Sequence, residues 1–125
     1  MSSSSASLPA SLIHAVQALD QHLAEEIRIL EVRDVSSVTD FFVIATGTGV
    51  PHLRALASEV EKACKNHRVR ARRKGGSPFS GWMVIDFADV VVHVMTRELR
   101  EFYALEQLWS DGKTVDAAAL LSDQS

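Results

Sequence analysis

The chain has 125 residues, of which 46% are hydrophobic and 23% are charged, a balance typical of one soluble globular domain. A chain of this length buries roughly two-thirds of its surface on folding, so it needs neither a metal nor a disulfide for stability. The net charge of −3 argues against a protein that coats nucleic acid generally. No apolar run reaches the ~18–20 residues of a membrane span, so no membrane association is expected.

The N-terminus and the single cysteine bear on the cellular compartment. Residues 1–8 are rich in serine and lack the basic start and apolar core of a secretory signal. We therefore expect a disordered tail over residues 1–8 and a cytoplasmic protein. Cys64 has no second cysteine to pair with and falls within a helical pattern, which indicates an inert, packed thiol.

The first half of the chain predicts two helices and two strands. Apolar residues at intervals of three or four predict a helix over residues 9–25, and residues 27–32 follow as a strand. Residues 41–45 form a continuous apolar run of strand length, which is typical of a strand covered on both faces. Gly47-Thr48-Gly49 interrupts that strand, and Pro51 suits the first turn of the next helix.

Basic side chains concentrate in the segment that follows this helix. Six of the 13 lysines and arginines fall within ten residues: Lys65, Arg68, Arg70, Arg72, Arg73 and Lys74. Across residues 68–74 arginines alternate with Val69 and Ala71, a period of two that predicts an edge strand. Residues 75–78 predict a loop. Such an edge is typically solvated, and the alternative is an RNA-binding module that uses the basic strand.

The last third predicts a hairpin and a helix. Strands over residues 82–87 and 90–95 are so close together that a two-residue turn must join them. A final helix is predicted over residues 97–109, and residues 111–125 are expected to be a loosely attached tail. The element order α-β-β-α-β-β-β-α predicts a single α/β domain over residues 9–110, with a mixed sheet of about five strands.

The predicted hairpin has two different faces. One face is apolar throughout and must be core: Met83, Ile85, Phe87, Val90, Val92 and Val94. The other face places Trp82, Val84 and Asp86 opposite three further residues: Met95, His93 and Val91. A face that mixes a large aromatic with a carboxylate and an imidazole is either solvated or covered by a partner. A contact between His93 and Asp86 is expected to be structural.

The final helix also has more apolar surface than its own packing requires. Its apolar residues spread over roughly 220°, whereas a surface helix needs about 100–140°; they are Leu99, Phe102, Tyr103, Leu105, Leu108 and Trp109. Exposed tyrosine and tryptophan are typical anchors of protein–protein contact. A simpler alternative is that Trp82 and Trp109 cap the core.

A magnesium-dependent, nucleotidyltransferase-like enzyme is a further alternative. Gly47-Thr48-Gly49 at a helix start could receive a phosphate, and Asp86 and Asp89 are a close carboxylate pair near a strand end. However, a plain strand-to-helix turn explains the glycines better, and the two carboxylates need not converge on one ion. The five histidines lack zinc-site spacing. We therefore predict no catalytic residue, no metal site and no cofactor.

Three separated motifs resemble the ribosomal silencing factor family, also called Iojap or RsfS. They are residues 39–48 (TDFFVIATGT), residues 81–95 with Gly81-Trp82, Asp86 and DVVVHVM, and residues 100–109 (REFYALEQLW). The match runs in register from about residue 12 to residue 111. The resemblance implies a nucleotidyltransferase-like fold without catalysis.

The resemblance also implies a partner and a site. Members bind large-subunit ribosomal protein fourteen at the intersubunit face, block subunit association and repress translation under nutrient limitation. The surface is centred on two aromatic residues that match Trp82 and Tyr103. The expected partner-binding residues are Trp82, Val84, Asp86, Asp89, Phe102 and Tyr103. The residues expected near rRNA are Arg68, Arg70, Arg72, Arg73 and Lys74. An exposed apolar patch also makes the free protein a candidate for homodimer formation.

Two positions depart from the family pattern inside this region. Ala104 stands where the family usually has an acidic residue, so any charge contact made by that acid is missing or replaced. Ala88 replaces the usual turn glycine, which makes a turn with positive φ costlier by roughly 1 kcal/mol.

Overall fold

The computed structural model describes residues 8–108 and 113–122, which form one mixed sheet with helices on both faces. The helices are α1 (Ala10–Gln21), α2 (Val50–Asn66), α3 (Arg97–Tyr103), α4 (Leu105–Leu108) and α5 (Ala117–Ser122). The strands are β1 (Glu25–Glu31), β2 (Phe41–Gly47), β3 (Arg73–Ser77), β4 (Trp82–Asp86), β5 (Val90–Thr96) and β6 (Lys113–Val115). The tail predicted over residues 1–8 falls almost wholly on residues 1–7, which lie outside the described residues. Trp109 also lies outside them.

The described strands form a six-stranded sheet in the order β3-β4-β5-β2-β1-β6. β2 and β5 are parallel, and the other neighbouring pairs are antiparallel. β2 is buried along its length except at Phe42, which is partly exposed, as its continuous apolar run predicted. The α/β class, the mixed sheet and the order of elements through β5 are confirmed, but the sheet has six strands instead of about five.

The two faces of the sheet are covered unequally. α1 and α2 pack on one face, and their buried leucines form the main core with the inward side chains of the strands. On the other face a smaller core lies beneath α3 and α4; its buried members are Leu30, Val32, Ile44 and Met95. Among the residues that the structure describes, α3 and α4 cover only part of this second face, and Phe42, Trp82, Val84 and His93 on it are partly exposed.

The C-terminal segment requires a correction. We expected residues 111–125 to be loosely attached, but β6 pairs antiparallel with β1, with Val115 opposite Ile29. α5 follows at once and buries Leu120 in the main core. A strand of three residues has no recognisable period, which is why the pattern did not predict it.

Both long helices end in a way that the sequence did not indicate. After α1, Leu23 adopts φ 67°, and the Ala24 amide donates to the Leu19 carbonyl at 2.9 Å. After α2, Arg68 adopts φ 66°, and the Val69 amide donates to the Cys64 carbonyl at 2.9 Å. These are Schellman motifs, which usually carry glycine in the left-handed position.

The observed ends of α1 and α2 show that two predicted boundaries are wrong. α1 ends at Gln21 instead of near residue 25, and β1 begins at Glu25. The basic strand predicted over residues 68–74 is wrong at its start, because Arg68 caps α2 and β3 begins only at Arg73. The loop predicted at residues 75–78 is also wrong, because Gly76 pairs with Met83 within β3. With φ 72° and the Trp82 carbonyl close by, that strand position admits only glycine.

The β4–β5 hairpin has the predicted register. Ile85 lies opposite Val92, Met83 lies opposite Val94, and the Phe87 amide donates to the Val90 carbonyl at 2.8 Å. Ala88 adopts φ 78° in the turn. This left-handed conformation costs alanine more than it would cost glycine.

The last helix is not continuous. α3 ends at Tyr103, and Ala104 adopts a left-handed conformation with φ 47° and ψ 52° while its amide donates to the Arg100 carbonyl. α4 then follows as a separate helix of four residues, so the single helix predicted over residues 97–109 is wrong. The break separates Phe102 and Tyr103 from the residues that follow.

Replacing left-handed alanine or leucine by glycine should stabilise the protein. We expect Ala88→Gly and Leu23→Gly each to raise the free energy of unfolding by about 0.5–1 kcal/mol, because φ near 70° strains any residue with a Cβ. Ala55→Gly is the control, since Ala55 is exposed within α2 and the change should destabilise by a similar amount. Denaturant unfolding checks all three; destabilisation by the first two changes would contradict the argument.

Candidate docking surface

The open part of the second sheet face carries a continuous group of aromatic and apolar side chains. β2, β4, β5 and α3 each contribute to it. We call this group the aromatic patch; its members are Phe42, Trp82, Val84, His93, Phe102 and Tyr103. In an antiparallel sheet, alternate residues share one face, which is why Trp82 and Val84 lie together while Met83 and Ile85 enter the main core.

Trp82 is the centre of the aromatic patch. Its indole Nε1 donates a hydrogen bond to Nδ1 of His93 at 3.1 Å. Its ring lies 4.9 Å from the ring of Tyr103, and its inner edge packs against the small core. The indole is therefore held by a polar contact on one side and an aromatic contact on another, while the side chain remains partly exposed.

α3 presents the two most exposed members of the patch. Leu99 packs on the small core, and Arg100 on the next position is 6% exposed, so the inward side of the helix is occupied. Phe102 and Tyr103 follow on the outward side with 75% and 47% exposure. Their rings meet edge to face at 4.9 Å. Aromatic pairs in this geometry hold one another in place before any partner arrives.

His93 is held in its neutral form. Burial lowers the pKa of His93 to about 4, and its Nδ1 must lack a proton to accept from Trp82. Phe42 covers its other side, with ring centres 5.5 Å apart. We expected a contact between His93 and Asp86, and this is wrong: the partner of His93 is the Trp82 indole.

Asp86 lies at one end of the aromatic patch, where it forms an ion pair with Arg72. Its carboxylate lies 3.0 Å from Arg72 Nη2 and also accepts a hydrogen bond from the Ala88 amide at 2.7 Å. Burial acts to raise the pKa of the Asp86 carboxyl, but the Ala88 amide and Arg72 outweigh it and hold that pKa below its ordinary value. The charge of Asp86 is thus already neutralised within the chain.

The structure separates Asp89 from the other predicted partner-binding residues. Its carboxylate accepts a hydrogen bond from Ser11 of α1 at 3.0 Å, and its backbone carbonyl accepts from the amides of Asp40 and Phe41. Because Ser11 belongs to α1, the Asp89 carboxylate lies towards the helix-covered side of the sheet. Trp82, Val84, Asp86, Phe102 and Tyr103 come together on the open face, and Asp89 does not join them.

Sequence reasoning missed three contributors to this surface. Phe42 belongs to the patch although the pattern indicated a strand covered on both faces. His93 was placed on the correct face but with the wrong partner. Arg100 was not singled out, yet its guanidinium Nη1 donates to the Glu26 carbonyl at 2.7 Å and to Thr46 Oγ1 at 2.8 Å, which anchors α3.

The residues that an enzyme of the nucleotidyltransferase type would need do not meet. Gly47-Thr48-Gly49 lines a cavity of about 610 Å³ at the carboxyl ends of β2 and β5. The Thr48 amide there already donates to Nδ1 of His52 at 2.9 Å. Asp86 lies level with Phe42, at the opposite end of β2 from Gly47. Five residues of strand, roughly 17 Å, separate the two ends.

Neither a metal cluster nor a membrane helix is found in the part of the chain that the structure describes. Over residues 8–108 and 113–122, no three histidine, cysteine, aspartate or glutamate side chains come together as metal ligands. Within the same ranges, no helix is both long and apolar enough to cross a bilayer. Cys64 is fully buried, and burial, reinforced by the charge of Asp89, raises the pKa of its thiol to about 12.

The fold and the aromatic patch together define a class of protein. The chain is a single α/β domain whose open sheet face displays clustered aromatics, the composition typical of protein–protein contact surfaces. A family model described as "Ribosomal silencing factor during starvation" matches residues 5–125. The chain therefore belongs to the ribosomal silencing factor family.

Individual relatives agree with this membership. A protein of Halalkalibacterium halodurans named "Ribosomal silencing factor RsfS" is 35% identical over 108 residues, covering 86% of this chain and 92% of that protein. A mouse protein named "Mitochondrial assembly of ribosomal large subunit protein 1" is 35% identical over 98 residues, covering 76% of this chain and 43% of that protein. A crystal structure of a protein from Chromobacterium violaceum has a TM-score of 0.78 at 29% identity, covering 87% of this chain and 92% of that chain.

The neutral His93, which is largely but not fully buried, makes the stability of the fold sensitive to acid. Because the folded pKa of about 4 lies below the unfolded value of 6.5, the unfolded chain takes up a proton first as the pH falls. The free energy of unfolding is therefore unaffected by His93 protonation above pH 6.5. It falls between pH 6.5 and 4, by roughly 3 kcal/mol in total.

The variant His93→Asn isolates this contribution, because an amide oxygen can accept from Trp82 but does not titrate. We expect the free energy of unfolding of the wild type to fall more steeply between pH 6.5 and 4, by up to about 1.4 kcal/mol per pH unit. Denaturant titrations at several pH values measure the difference. Parallel pH profiles for the two proteins would show that His93 is not the titrating group.

Proposed function

We propose that the aromatic patch binds large-subunit ribosomal protein fourteen at the intersubunit face, in the cytoplasm. Occupation of that face keeps the small subunit from joining, and translation is repressed when nutrients are limiting. The protein acts by steric obstruction and catalyses no reaction. The observation that carries the proposal is the contact chain Trp82–Tyr103–Phe102, partly exposed and preorganised on the open sheet face.

The physical basis of this proposal is the low cost of ordering the patch. Binding usually costs about 0.5–1.5 kcal/mol for each mobile side chain that it immobilises. Trp82 is already held by His93 and Tyr103, and Tyr103 in turn by Phe102. A partner that covers these rings gains apolar contact without the cost of immobilising mobile side chains. Family membership supports the ribosomal identity of that partner.

The most direct test is co-sedimentation of the purified protein with separated ribosomal subunits. Phe102→Ala is the primary variant, because Phe102 is 75% exposed and its truncation should leave the fold intact. We expect it to weaken binding to large subunits by about 2 kcal/mol or more, roughly 30-fold. Trp82→Ala should weaken binding by ~2–4 kcal/mol and also lower stability, since its inner edge packs on the small core.

Phe79→Ala is the matched control. Phe79 is 77% exposed, but it lies in the turn before β4 and packs against Arg54 of α2, on the other side of the sheet. It should bind as the wild type does. Equal binding by wild type, Phe102→Ala and Trp82→Ala would reject the aromatic patch as the docking surface. A subunit-joining assay then separates docking from silencing, since docking without inhibition of joining would contradict the steric mechanism.

A second copy of the chain is an alternative occupant of the aromatic patch in the free protein. If a homodimer uses these aromatics, Phe102→Ala should shift sedimentation equilibrium towards the monomer. Added large subunits should then dissociate the wild-type dimer, because both partners compete for one surface.

A further inference from the structure

We infer that three exposed arginines between the end of α2 and the start of β3 form a contact surface for the phosphate backbone of RNA. The three are Arg68, Arg70 and Arg73, and we call them the arginine edge. This inference adds a second class of partner to the proposed docking function and rests on it for its biological setting. Its physical content can be tested with RNA alone.

The ion pairs of the basic segment divide its five candidates into two groups. Arg72 is paired with Asp86 at 3.0 Å, and Lys74 is paired with Glu61 at 3.2 Å. Within residues 8–108 and 113–122, no carboxylate lies within ion-pair distance of Arg68, Arg70 or Arg73. Two of the five predicted rRNA contacts are thus paired within the chain. The arginine edge forms no such pair, although Arg73 helps at longer range to lower the pKa of Asp86.

The backbone explains why these arginines point outwards. Arg68 occupies the left-handed position that ends α2, where its side chain is exposed. Val69 and Ala71 pack against the main core, so Arg70 between them is turned to solvent. The alternation noticed in the sequence is therefore real as a pattern of burial, although the segment before Arg73 is not a strand.

Arg73 connects the arginine edge to the sheet face that carries the aromatic patch. β3 is the outermost strand, and Arg73 lies directly opposite Asp86 in its pairing with β4. Residues directly opposite in an antiparallel pair share one face, so Arg73 lies on the same side as Asp86 and Trp82. A macromolecule bound to the aromatic patch would therefore bring its neighbouring surface towards Arg73, at the β3 end of the arginine edge.

The character of this edge favours RNA over an acidic protein. Gly75 and Gly76 follow immediately, so the edge offers no large apolar side chain of the kind found at the centre of a protein interface. Phosphate contacts need no apolar component, and the guanidinium fork matches phosphate oxygens in geometry. The rest of the chain is acidic enough to give a net charge of −3, so nucleic acid should contact this edge selectively.

The test compares two triple variants with equal charge loss. Arg68→Gln/Arg70→Gln/Arg73→Gln removes the arginine edge. Arg28→Gln/Arg33→Gln/Lys113→Gln is the control, because these exposed residues lie on or beside β1 and β6 at the opposite edge of the sheet. Each variant removes three positive charges. Both should retain the wild-type melting temperature within a few degrees. All six side chains are exposed, and the contacts that Arg33 loses, an ion pair with Glu31 at 2.8 Å and a contact over the Phe41 ring, lie at the surface, where an ion pair is worth only about 0–1 kcal/mol.

Binding to an RNA duplex of about 16 base pairs is measured by filter retention between about 50 and 200 mM salt. The slope of log affinity against log salt should fall in magnitude by about 2–3 for the first variant, close to 0.9 for each lost phosphate contact. The control should keep the wild-type slope. Equal slopes for the two variants would overturn the inference, as would tighter binding of polyglutamate than of RNA, which would indicate an acidic protein surface instead.

Co-sedimentation with large subunits over the same salt range connects the inference to docking. The first variant should bind subunits with a reduced salt dependence, while Phe102→Ala should lose affinity at every salt concentration with an unchanged slope. If the wild type does not bind large subunits, the proposed function fails, and the duplex experiment still decides whether the arginine edge binds RNA.

Discussion

The guanidinium of Arg100 determines where α3 lies, and the position of α3 decides which part of the sheet stays open. A helix of seven residues has little stability of its own, so it depends on tertiary anchors. Arg100 donates to the Glu26 carbonyl and to Thr46 Oγ1, and both acceptors lie near the end of the sheet where β2 finishes. Thr96 caps the first turn by accepting from the Leu99 amide. These contacts hold α3 over one end of the second face and leave the remainder uncovered.

This arrangement gives the small core and the aromatic patch a common origin. Met95 and Ile44 are fully buried beneath the short helices, whereas His93 and Phe42, on the same strands, are only partly covered. Trp82 spans the boundary, since it packs on the small core and reaches Tyr103 at the rim. The short helices cover Met95 and Ile44 and leave Phe42 and His93 partly exposed. One apolar sheet face therefore supplies both the small core and the surface that we propose for docking.

Sequence patterns predicted the parts of the fold that repeat regularly. The continuous apolar run identified β2, and the two-residue turn set the register of β4 against β5. The ends of α1 and α2 could not be predicted, because Leu23 and Arg68 occupy positions where glycine is the usual signal. The register of β4 against β5 also could not identify which side chain bonds to His93. His93 lies opposite Val84, so Trp82 and Asp86 are both diagonal neighbours, and the choice depends on Arg72, which engages Asp86.

Ala104 raises the question of why an acidic residue is usual at this position in the family that the chain resembles. Here Ala104 is the left-handed residue that ends α3, directly after Tyr103. Aspartate and asparagine adopt this conformation at lower cost than alanine, because a short polar side chain can hydrogen-bond locally. An aspartate at this position would therefore have a conformational role that requires no charge contact with a partner. The chain also has an exposed carboxylate nearby, since Glu101 lines the same cavity as Ala104. The alanine at this position thus bears first on the turn that ends α3, directly after Phe102 and Tyr103 of the aromatic patch.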